Sequence, residues 1–187
     1  MKKIFVFVFL LFLFPIVTEA KDKVTLSKCV DGDTARFILK DEEIKVRFLG
    51  INAPEIASST KEAEPYGNKS KDYVCNRLKK AEKIELEYEP STDKKDKYDR
   101  YLAYVFVDDK LLEVDILKKG YAEVKYADKD FKYYNELIKA EEKAKKNKLG
   151  IYSEEDEDED DFFASIAKFF KTKVKKVFSD IFDEIFN

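Results

Sequence analysis

Residues 44–55 have the sequence IKVRFLGINAPE, an alternating segment that continues directly into a loop. Ile44, Val46 and Phe48 are apolar, whereas Lys45 and Arg47 between them are charged. Because successive side chains of a strand point to opposite faces, this pattern predicts a half-buried strand with one face in a core. Residues 50–65 hold one glycine, two prolines and several small polar residues, which predicts a loop.

The segments on either side of this strand predict a small barrel. Four more segments have the composition or alternation of short strands, namely residues 24–30, 34–39, 84–88 and 101–107. Helical spacing or helix-end signals mark residues 66–81, 111–119 and 130–148, with Gly120 and Gly150 after the last two and Asp130 as the N-cap of the third. One helix follows the third strand and two follow the fifth. That order favours a mainly β, α+β barrel over a parallel βαβ sheet.

The composition excludes several kinds of active site. The 187-residue chain has no histidine and only two cysteines. A His-dependent triad and a His-ligated zinc site are therefore excluded, and a Cys₄ zinc site or a disulfide scaffold would need more cysteines. Any general acid, general base or metal ligand must be a carboxylate, an amide, a hydroxyl or a backbone carbonyl.

The net charge of −3 averages two different regions. Residues 153–187 carry eleven acids and five bases, whereas residues 21–152 carry 27 acids and 29 bases. An acidic tail therefore follows a slightly basic domain. That balance permits a polyanionic substrate without arguing for one.

The first twenty residues have the pattern of a secretory signal peptide. Lys2 and Lys3 precede fourteen apolar residues, 4–17, and residues 18–20 offer a small residue before a charged segment. An uncleaved membrane anchor and a buried helix are the alternatives, although fourteen residues are short for a bilayer span. We expect a secreted or surface-associated protein. Outside the cytoplasm Cys29 and Cys75 can form a disulfide, and two buried free thiols are the alternative.

Three segments place charged residues where a fold would favour turn or apolar residues. They are residues 30–34 (VDGDT), 46–55 (VRFLGINAPE) and 96–104 (DKYDRYLAY). Taken singly, an Asp-Gly turn or an arginine on a strand is usually structural. In this order and spacing, however, the segments resemble the staphylococcal nuclease (thermonuclease) family. The resemblance covers residues 23–152 and includes Tyr66-Gly67, residues 120–122, residues 144–146 and residues 149–153.

The resemblance implies a fold, an activity and a set of site residues. The fold would be a five-stranded OB-type Greek-key barrel with three helices, over residues 21–153. The activity would be calcium-dependent hydrolysis of DNA and RNA without sequence specificity, leaving 3′-phosphate ends. Ca²⁺ would be held by Asp33, by Asn52 and by the backbone carbonyl of Ala53. Glu55 would activate the attacking water, Arg47 and Arg100 would hold the scissile phosphate, and Tyr98 and Tyr126 would contact the nucleotide.

The residue types suit this chemistry independently of the resemblance. Ca²⁺ prefers oxygen ligands, and none of the proposed ligands is a histidine. Guanidinium groups match the charge on a phosphodiester in its transition state, and a fixed Glu is a suitable general base. The chain departs from the family at Asn52, where the best-known member has Asp. The site loses one negative charge, so we expect weaker metal binding or a shifted metal preference.

The residues around the expected groove allow more than one interpretation. Tyrosines near basic residues suit stacking on single-stranded nucleic acid, although we expect Tyr101 to pack at the barrel edge. Three lysines in the loop before Arg100 could contact phosphates, but three aspartates alternate with them, and a solvated loop is the alternative: Lys94, Lys95 and Lys97, with Asp93, Asp96 and Asp99. A nuclease-like barrel that binds nucleic acid or protein without cutting it is the alternative function.

The C-terminal region lies outside the resemblance. Residues 154–161 are eight consecutive acids, which predict a solvated linker. Residues 162–187 repeat Phe, Ile and Val at helical spacing with five lysines among them, which predicts an amphipathic helix. Such a helix could bind a membrane surface, dock on its own domain or on a second copy, or bind a partner. We expect the protein itself to be a monomer.

Overall fold

The structure is a computed structural model, and it describes residues 21–153. The predicted signal peptide (1–20), acidic linker (154–161) and C-terminal helix (162–187) lie outside the described residues. Within them the elements are, in chain order, β1 (Asp22–Cys29), β2 (Thr34–Leu39), β3 (Glu42–Phe48), β4 (Ile51–Asn52), α1 (Gly67–Lys79), β5 (Ile84–Glu87), β6 (Tyr101–Val107), β7 (Lys110–Leu111), α2 (Leu112–Lys118), β8 (Glu123–Val124), α3 (Tyr134–Lys146) and a 3₁₀ turn (Gly150–Tyr152).

Five of these strands close into a barrel. β1 pairs antiparallel with both β2 and β5, β2 pairs with β3, and β5 pairs with β6. A parallel pairing of β3 with β6, with Val46 opposite Tyr101 and Phe48 opposite Ala103, closes the ring. With the three helices this is the OB-type α+β fold expected from the sequence. The apolar face of β3 is buried in the barrel, because Val46 and Phe48 are almost fully inaccessible.

The helix α2 ends just before Gly120, as predicted from the sequence. Gly120 has a φ of +67°, and the N–H groups of Gly120 and Tyr121 donate to the carbonyls of Leu117 and Ile116 at 2.9 and 3.2 Å. This pair of hydrogen bonds forms a Schellman motif, which satisfies carbonyls at the end of α2. Glycine adopts the left-handed conformation at this position without the steric cost of a Cβ.

Two local predictions differ from the structure. Asp130 does not cap the third helix: α3 begins at Tyr134, and its N-cap, Tyr133, makes no side-chain capping bond. Phe131 is buried, and its N–H donates to the carbonyl of Asp128, so the chain turns into the core before the helix starts. The region predicted as a loop also contains β4, which pairs with β8 through Ile51 opposite Val124. Strands of two residues are too short to show a periodic pattern.

The two cysteines are joined. Cys29 at the end of β1 and Cys75 in α1 form a disulfide with their Cα atoms 5.7 Å apart. The sequence left open whether they pair, and the fold brings them together because α1 lies against β1. The bridge therefore attaches α1 close to the turn that follows β1. No helix among residues 21–153 is long and apolar enough to cross a membrane.

Candidate active site

One groove collects most of the side chains that the sequence singled out. It has a volume of about 870 Å³ and opens beside the end of β3, β4 and the loop before β6. Six of the eight predicted site residues line it: Arg47, Asn52, Glu55, Tyr98, Arg100 and Tyr126. The other two, Asp33 and Ala53, lie directly behind it, because Asp33 contacts Arg47 and the Ala53 amide. Four segments far apart in the chain thus form one site.

The turn between β1 and β2 is held tightly behind the groove. The N–H of Asp33 donates to Oδ1 of Asp31 at 3.0 Å, a local bond that shapes the turn. A Cβ at Gly32 would lie 2.0 Å from Oγ of Ser70 and 2.7 Å from Cβ of Ala53. Only glycine fits there without displacing α1 or the chain after β4. The close approach fixes the position of Asp33.

Asp33 is a buried carboxylate that contacts Arg47, the Ala53 amide and the Thr34 hydroxyl. Its Oδ2 accepts the N–H of Ala53 at 2.8 Å and lies 3.0 Å from Nη2 of Arg47, while its Oδ1 accepts the Thr34 hydroxyl at 3.0 Å. Burial raises the pKa of Asp33 to about 6, and the positive charge of Arg47 opposes that rise. The carboxylate is therefore poised to ionise near neutral pH and to favour a cation beside it.

Arg47 is more closely bound to the protein than the sequence suggested. Its Nη2 lies 3.0 Å from the carboxylate of Asp33 and donates to Oδ1 of Asn52 at 3.2 Å. Its Nη1 donates to the backbone carbonyls of Phe48 and Ile51 at 3.0 and 2.8 Å. A single guanidinium thus joins the end of β3, β4 and the turn before β2. These contacts leave Arg47 largely buried at the wall of the groove.

The arrangement of oxygen atoms fits a hard divalent cation. Oδ2 of Asp33 and Oδ1 of Asn52 converge on the same positively charged nitrogen, Nη2 of Arg47. The bond from its amide to Asp33 holds the Ala53 peptide next to this pair. Carboxylate, amide and carbonyl oxygens are ligands that Ca²⁺ accepts. Among residues 21–153 no cluster of three or more acidic, histidine or cysteine side chains could hold a metal.

Glu55 presents an unengaged carboxylate to the groove. Its N–H donates to a carboxylate oxygen of Glu64 at 3.0 Å, and its carbonyl accepts the N–H of Glu64 at 2.9 Å. These two bonds fix the backbone at Glu55. Its own carboxylate has no hydrogen bond or ion pair within the part of the chain that the structure describes, so it can accept a proton from a bound water.

Asp96 organises the loop that carries Arg100 and Tyr98. Its Oδ1 accepts the backbone N–H groups of Tyr98 at 2.9 Å and Arg100 at 3.0 Å, and its Oδ2 accepts Nε of Arg100 at 2.7 Å. Asp99 adopts a left-handed conformation, φ 61°, at the tip of this turn. From the sequence alone, Asp96 is one of three aspartates in this loop. Its offset of two and four residues from Tyr98 and Arg100 is the signal that could have identified it.

The tyrosines divide into exposed and packed groups. Tyr98 and Tyr126 both line the groove and are 68% and 72% exposed. Their rings are free to stack on an unpaired base. Tyr101 instead packs against Tyr88 with ring centroids 6.3 Å apart, as expected, and Tyr121 packs against Tyr73 at 5.5 Å. Neither of the packed rings lines the groove.

Comparison with known families agrees with this geometry. The model of the family described as "Staphylococcal nuclease homologue" matches residues 45–154, more than half of the chain. The chain belongs to the staphylococcal nuclease family. The matched range includes the groove's Arg47, Asn52, Glu55 and Arg100, whereas Asp33 lies before it.

Individual relatives carry nuclease names. The SPbeta prophage-derived endonuclease YokF of Bacillus subtilis (strain 168) is 36% identical over 82% of this chain and 51% of its own length. The endonuclease YncB of the same strain is 36% identical over 70% of this chain and 61% of its own length. The thermonuclease of Staphylococcus intermedius is 30% identical over 68% of this chain and 74% of its own length. This staphylococcal nuclease homologue therefore spans only about half to three fifths of the two Bacillus proteins.

Proposed function

We propose that the protein is an exported, calcium-dependent nuclease that hydrolyses phosphodiester bonds of DNA and RNA without sequence specificity. The observation that carries the proposal is the single groove that joins Glu55, Arg100 and Asn52, with Asp33 paired to Arg47 behind it. The nuclease names of the relatives support the same reaction class. A module that only binds nucleic acid would not need Glu55 as a general base beside the two arginines, Arg47 and Arg100.

The side chains have separate tasks in this proposal. Tyr98 and Tyr126 stack on bases, which holds a single strand without sequence preference. Arg100, fixed by Asp96, donates to the phosphate oxygens, where negative charge grows in the transition state. Glu55 takes a proton from water as the water oxygen bonds to phosphorus. The bond from phosphorus to the 5′ oxygen then breaks, that oxygen takes a proton from solvent, and a 3′-phosphate remains.

The metal would be Ca²⁺, held by Asp33, Asn52 and the carbonyl of Ala53. When bound, it would supply positive charge that polarises the phosphate. Asn52 in place of an acid weakens the attraction for the ion by one charge. Because Asp33 must be ionised to bind a cation, we expect metal affinity to fall as the pH drops below about 6.

Cleavage of plasmid, single-stranded DNA and RNA tests the proposal directly. The purified protein is incubated with each substrate in Ca²⁺ or in a calcium chelator, beside a Glu55→Gln, Arg100→Ala double variant. We expect Ca²⁺-dependent degradation that the double variant loses. If the folded protein cuts nothing with any divalent ion, the proposal is wrong and the alternative, a binding module, takes its place.

Export and membrane association rest on segments outside the described residues. We propose that residues 1–20 direct secretion, as a signal peptide or an uncleaved anchor, and that residues 162–187 can hold the protein at a membrane surface. Co-sedimentation with anionic liposomes, with and without residues 162–187, tests the second point. Light scattering of the same two proteins without liposomes tests whether the protein is a monomer.

A further inference from the structure

Four basic residues lie in one line across the outer face of the barrel. The strand register places Lys28 of β1 opposite Arg36 of β2, and Arg36 opposite Lys45 of β3. The parallel pairing begins with Val46 opposite Tyr101, so Arg100, the residue before β6, comes one step before the paired residues, as Lys45 does on β3. Because residues paired across strands point to the same face, these side chains form a continuous line. We call Lys28, Arg36, Lys45 and Arg100 the cationic row.

The row faces solvent beside the groove. The neighbours of Arg36 along β2, Ala35 and Phe37, are fully buried, so Arg36 itself points outward. Arg47 lies two residues from Lys45 on the same face of β3, and Arg47 and Arg100 both line the groove. The cationic row therefore begins at the site of the proposed chemistry and runs from it across β3, β2 and β1.

Two of the four charges in the row are paired, because Arg36 contacts Glu43 and Arg100 contacts Asp96, and in the described part of the chain the two lysines are not. Within residues 21–153, Lys28 and Lys45 have no ion pair or side-chain hydrogen bond. Arg36 is bound by Glu43 through Nη1 at 2.8 Å, in a pair whose members are both about 40% exposed. Such an exposed pair is weak, and a guanidinium has further N–H groups to offer. The row thus presents donors to solvent on a nearly neutral protein.

Acidic residues lie at the hairpin end of the same sheet, and one of them, Glu43, is the partner of Arg36. The far end of the β2–β3 hairpin carries Asp41, Glu42 and Glu43, all exposed. A polyanion is repelled from that end and attracted to the cationic row. The favoured path therefore runs across the strands, away from the groove, and not along the hairpin. Neighbouring strands are about 4.8 Å apart, so four strands extend the path by roughly 15 Å.

We propose that the cationic row binds the phosphates of a single-stranded polynucleotide on the part of the chain that continues beyond the scissile bond. The proposal rests on the nuclease function proposed above, and it adds a second binding region for long substrates. A single strand is favoured because the row ends at Arg100, beside the exposed ring of Tyr98. An OB-type barrel typically combines such a cationic track with stacking rings.

Binding without cleavage tests the proposal separately from catalysis. All proteins carry Glu55→Gln and are assayed in a calcium chelator, so no substrate is cut. A row variant, Lys28→Gln, Arg36→Gln, Lys45→Gln, is compared with a control variant, Lys118→Gln, Lys119→Gln, Lys143→Gln. The control loses the same charge at exposed positions at the end of α2 and in α3. Fluorescence anisotropy measures binding of a 16-nucleotide DNA strand at several salt concentrations, and competition measures binding of a trinucleotide.

We expect the row variant to bind the 16-mer about tenfold more weakly and the control variant to bind it nearly as the parent does. For three lost phosphate contacts, the slope of log affinity against log salt should fall by about 2. The ratio of 16-mer affinity to trinucleotide affinity should fall in the row variant alone. Thermal unfolding verifies that both variants are folded.

Three results would overturn the proposal. One is equal loss of 16-mer binding in the row and control variants, which would mean that only the overall charge matters. The second is failure of the parent to bind the 16-mer. The third is a row variant that loses binding to anionic vesicles while it keeps the 16-mer. The row variant alone could lose 16-mer binding while the protein with Glu55 intact cuts nothing in Ca²⁺. In that case the nuclease proposal fails, and the proposal that the cationic row binds single strands stands.

Discussion

Asp96 binds Arg100 through both carboxylate oxygens: Oδ1 accepts the backbone N–H at 3.0 Å, and Oδ2 accepts the side-chain Nε at 2.7 Å and lies 2.6 Å from Nη2. Backbone and guanidinium are therefore fixed by one carboxylate. Partial burial raises the pKa of Asp96, but hydrogen bonds from Arg100 and Tyr98 outweigh that effect and lower the pKa below its usual value. The carboxylate is therefore stabilised in its charged form by the group that it holds. Asp96 acts as a positioning residue for a group that would contact the phosphate.

Replacing Asp96 with Asn should impair catalysis more than folding. The amide loses the charge that orients the guanidinium, and small displacements of catalytic groups are costly. We expect kcat to fall about tenfold to 100-fold, with a smaller change in KM. Steady-state cleavage of a short oligonucleotide measures both. Asp93→Asn, in the same loop and exposed, is the control; equal effects of the two substitutions would contradict a positioning role.

Replacing Arg47 with Met should strengthen calcium binding while it reduces cleavage. Nη2 of Arg47 contacts Asp33 and Asn52, both predicted metal ligands, so its positive charge competes with a cation there. A unit charge at this range is worth a few kcal/mol at most, and we expect about a tenfold gain in affinity.

Calorimetric titration with Ca²⁺ at pH 8 measures that affinity, because Asp33 is ionised at this pH. Arg36→Met removes a partly exposed arginine of the same barrel and should leave the affinity unchanged. Weaker calcium binding in Arg47→Met, with the fold intact, would show that Arg47 supports the metal site and does not compete with it.

Removal of the disulfide should destabilise the domain. The bridge closes a loop across a sequence separation of 46 residues, and a loop of this length is expected to contribute about 4 kcal/mol. We expect the Cys29→Ser, Cys75→Ser variant to lose up to this amount of unfolding free energy in urea. A reductant should lower the stability of the parent and leave the variant unchanged. Equal stability of parent and variant would mean that packing of α1 suffices.

Glu113 should make the stability depend on pH. It is fully buried in α2, its Oε1 accepts the N–H of Val105 at 3.0 Å, and burial raises its pKa from 4.5 to about 8. Between these pH values the folded protein keeps a proton that the unfolded chain has released. The stabilising contribution is therefore complete below about pH 4.5 and is lost as the pH rises to about 8, at up to about 1.4 kcal/mol per pH unit.

The Glu113→Gln variant should remove this dependence. The amide can still accept the Val105 N–H but does not ionise, so its melting temperature should exceed that of the parent at pH 8.5 and differ little at pH 5. Thermal unfolding at both values measures the difference. Glu142→Gln, an exposed site on α3, should not change the pH profile. A parent whose stability is flat from pH 5 to 8.5 would contradict the assignment.

The sequence alone was sufficient to predict the strands of the barrel and the chemical types of the groups in the site. Alternation of Ile44, Val46 and Phe48 with charged residues predicts a strand because the period of side-chain direction is a property of the backbone itself. The end of α2 near Gly120 was likewise predictable, because it depends on the left-handed conformation of a single residue. The family resemblance assigned roles to eight residues, and the fold brings six of them into one groove and the other two, Asp33 and Ala53, directly behind it.

Tertiary structure alone decided which of these residues touch. Arg47 contacts Asp33 because the barrel closes, and no local pattern encodes that pair. The burial of Phe131 outweighed the capping signal of Asp130 because apolar burial is worth more than one hydrogen bond at a helix end. The pairing of Cys29 with Cys75 and the line from Lys28 to Arg100 depend on helix packing and strand register. These relationships join residues far apart in the chain, so they exist only once the chain has folded.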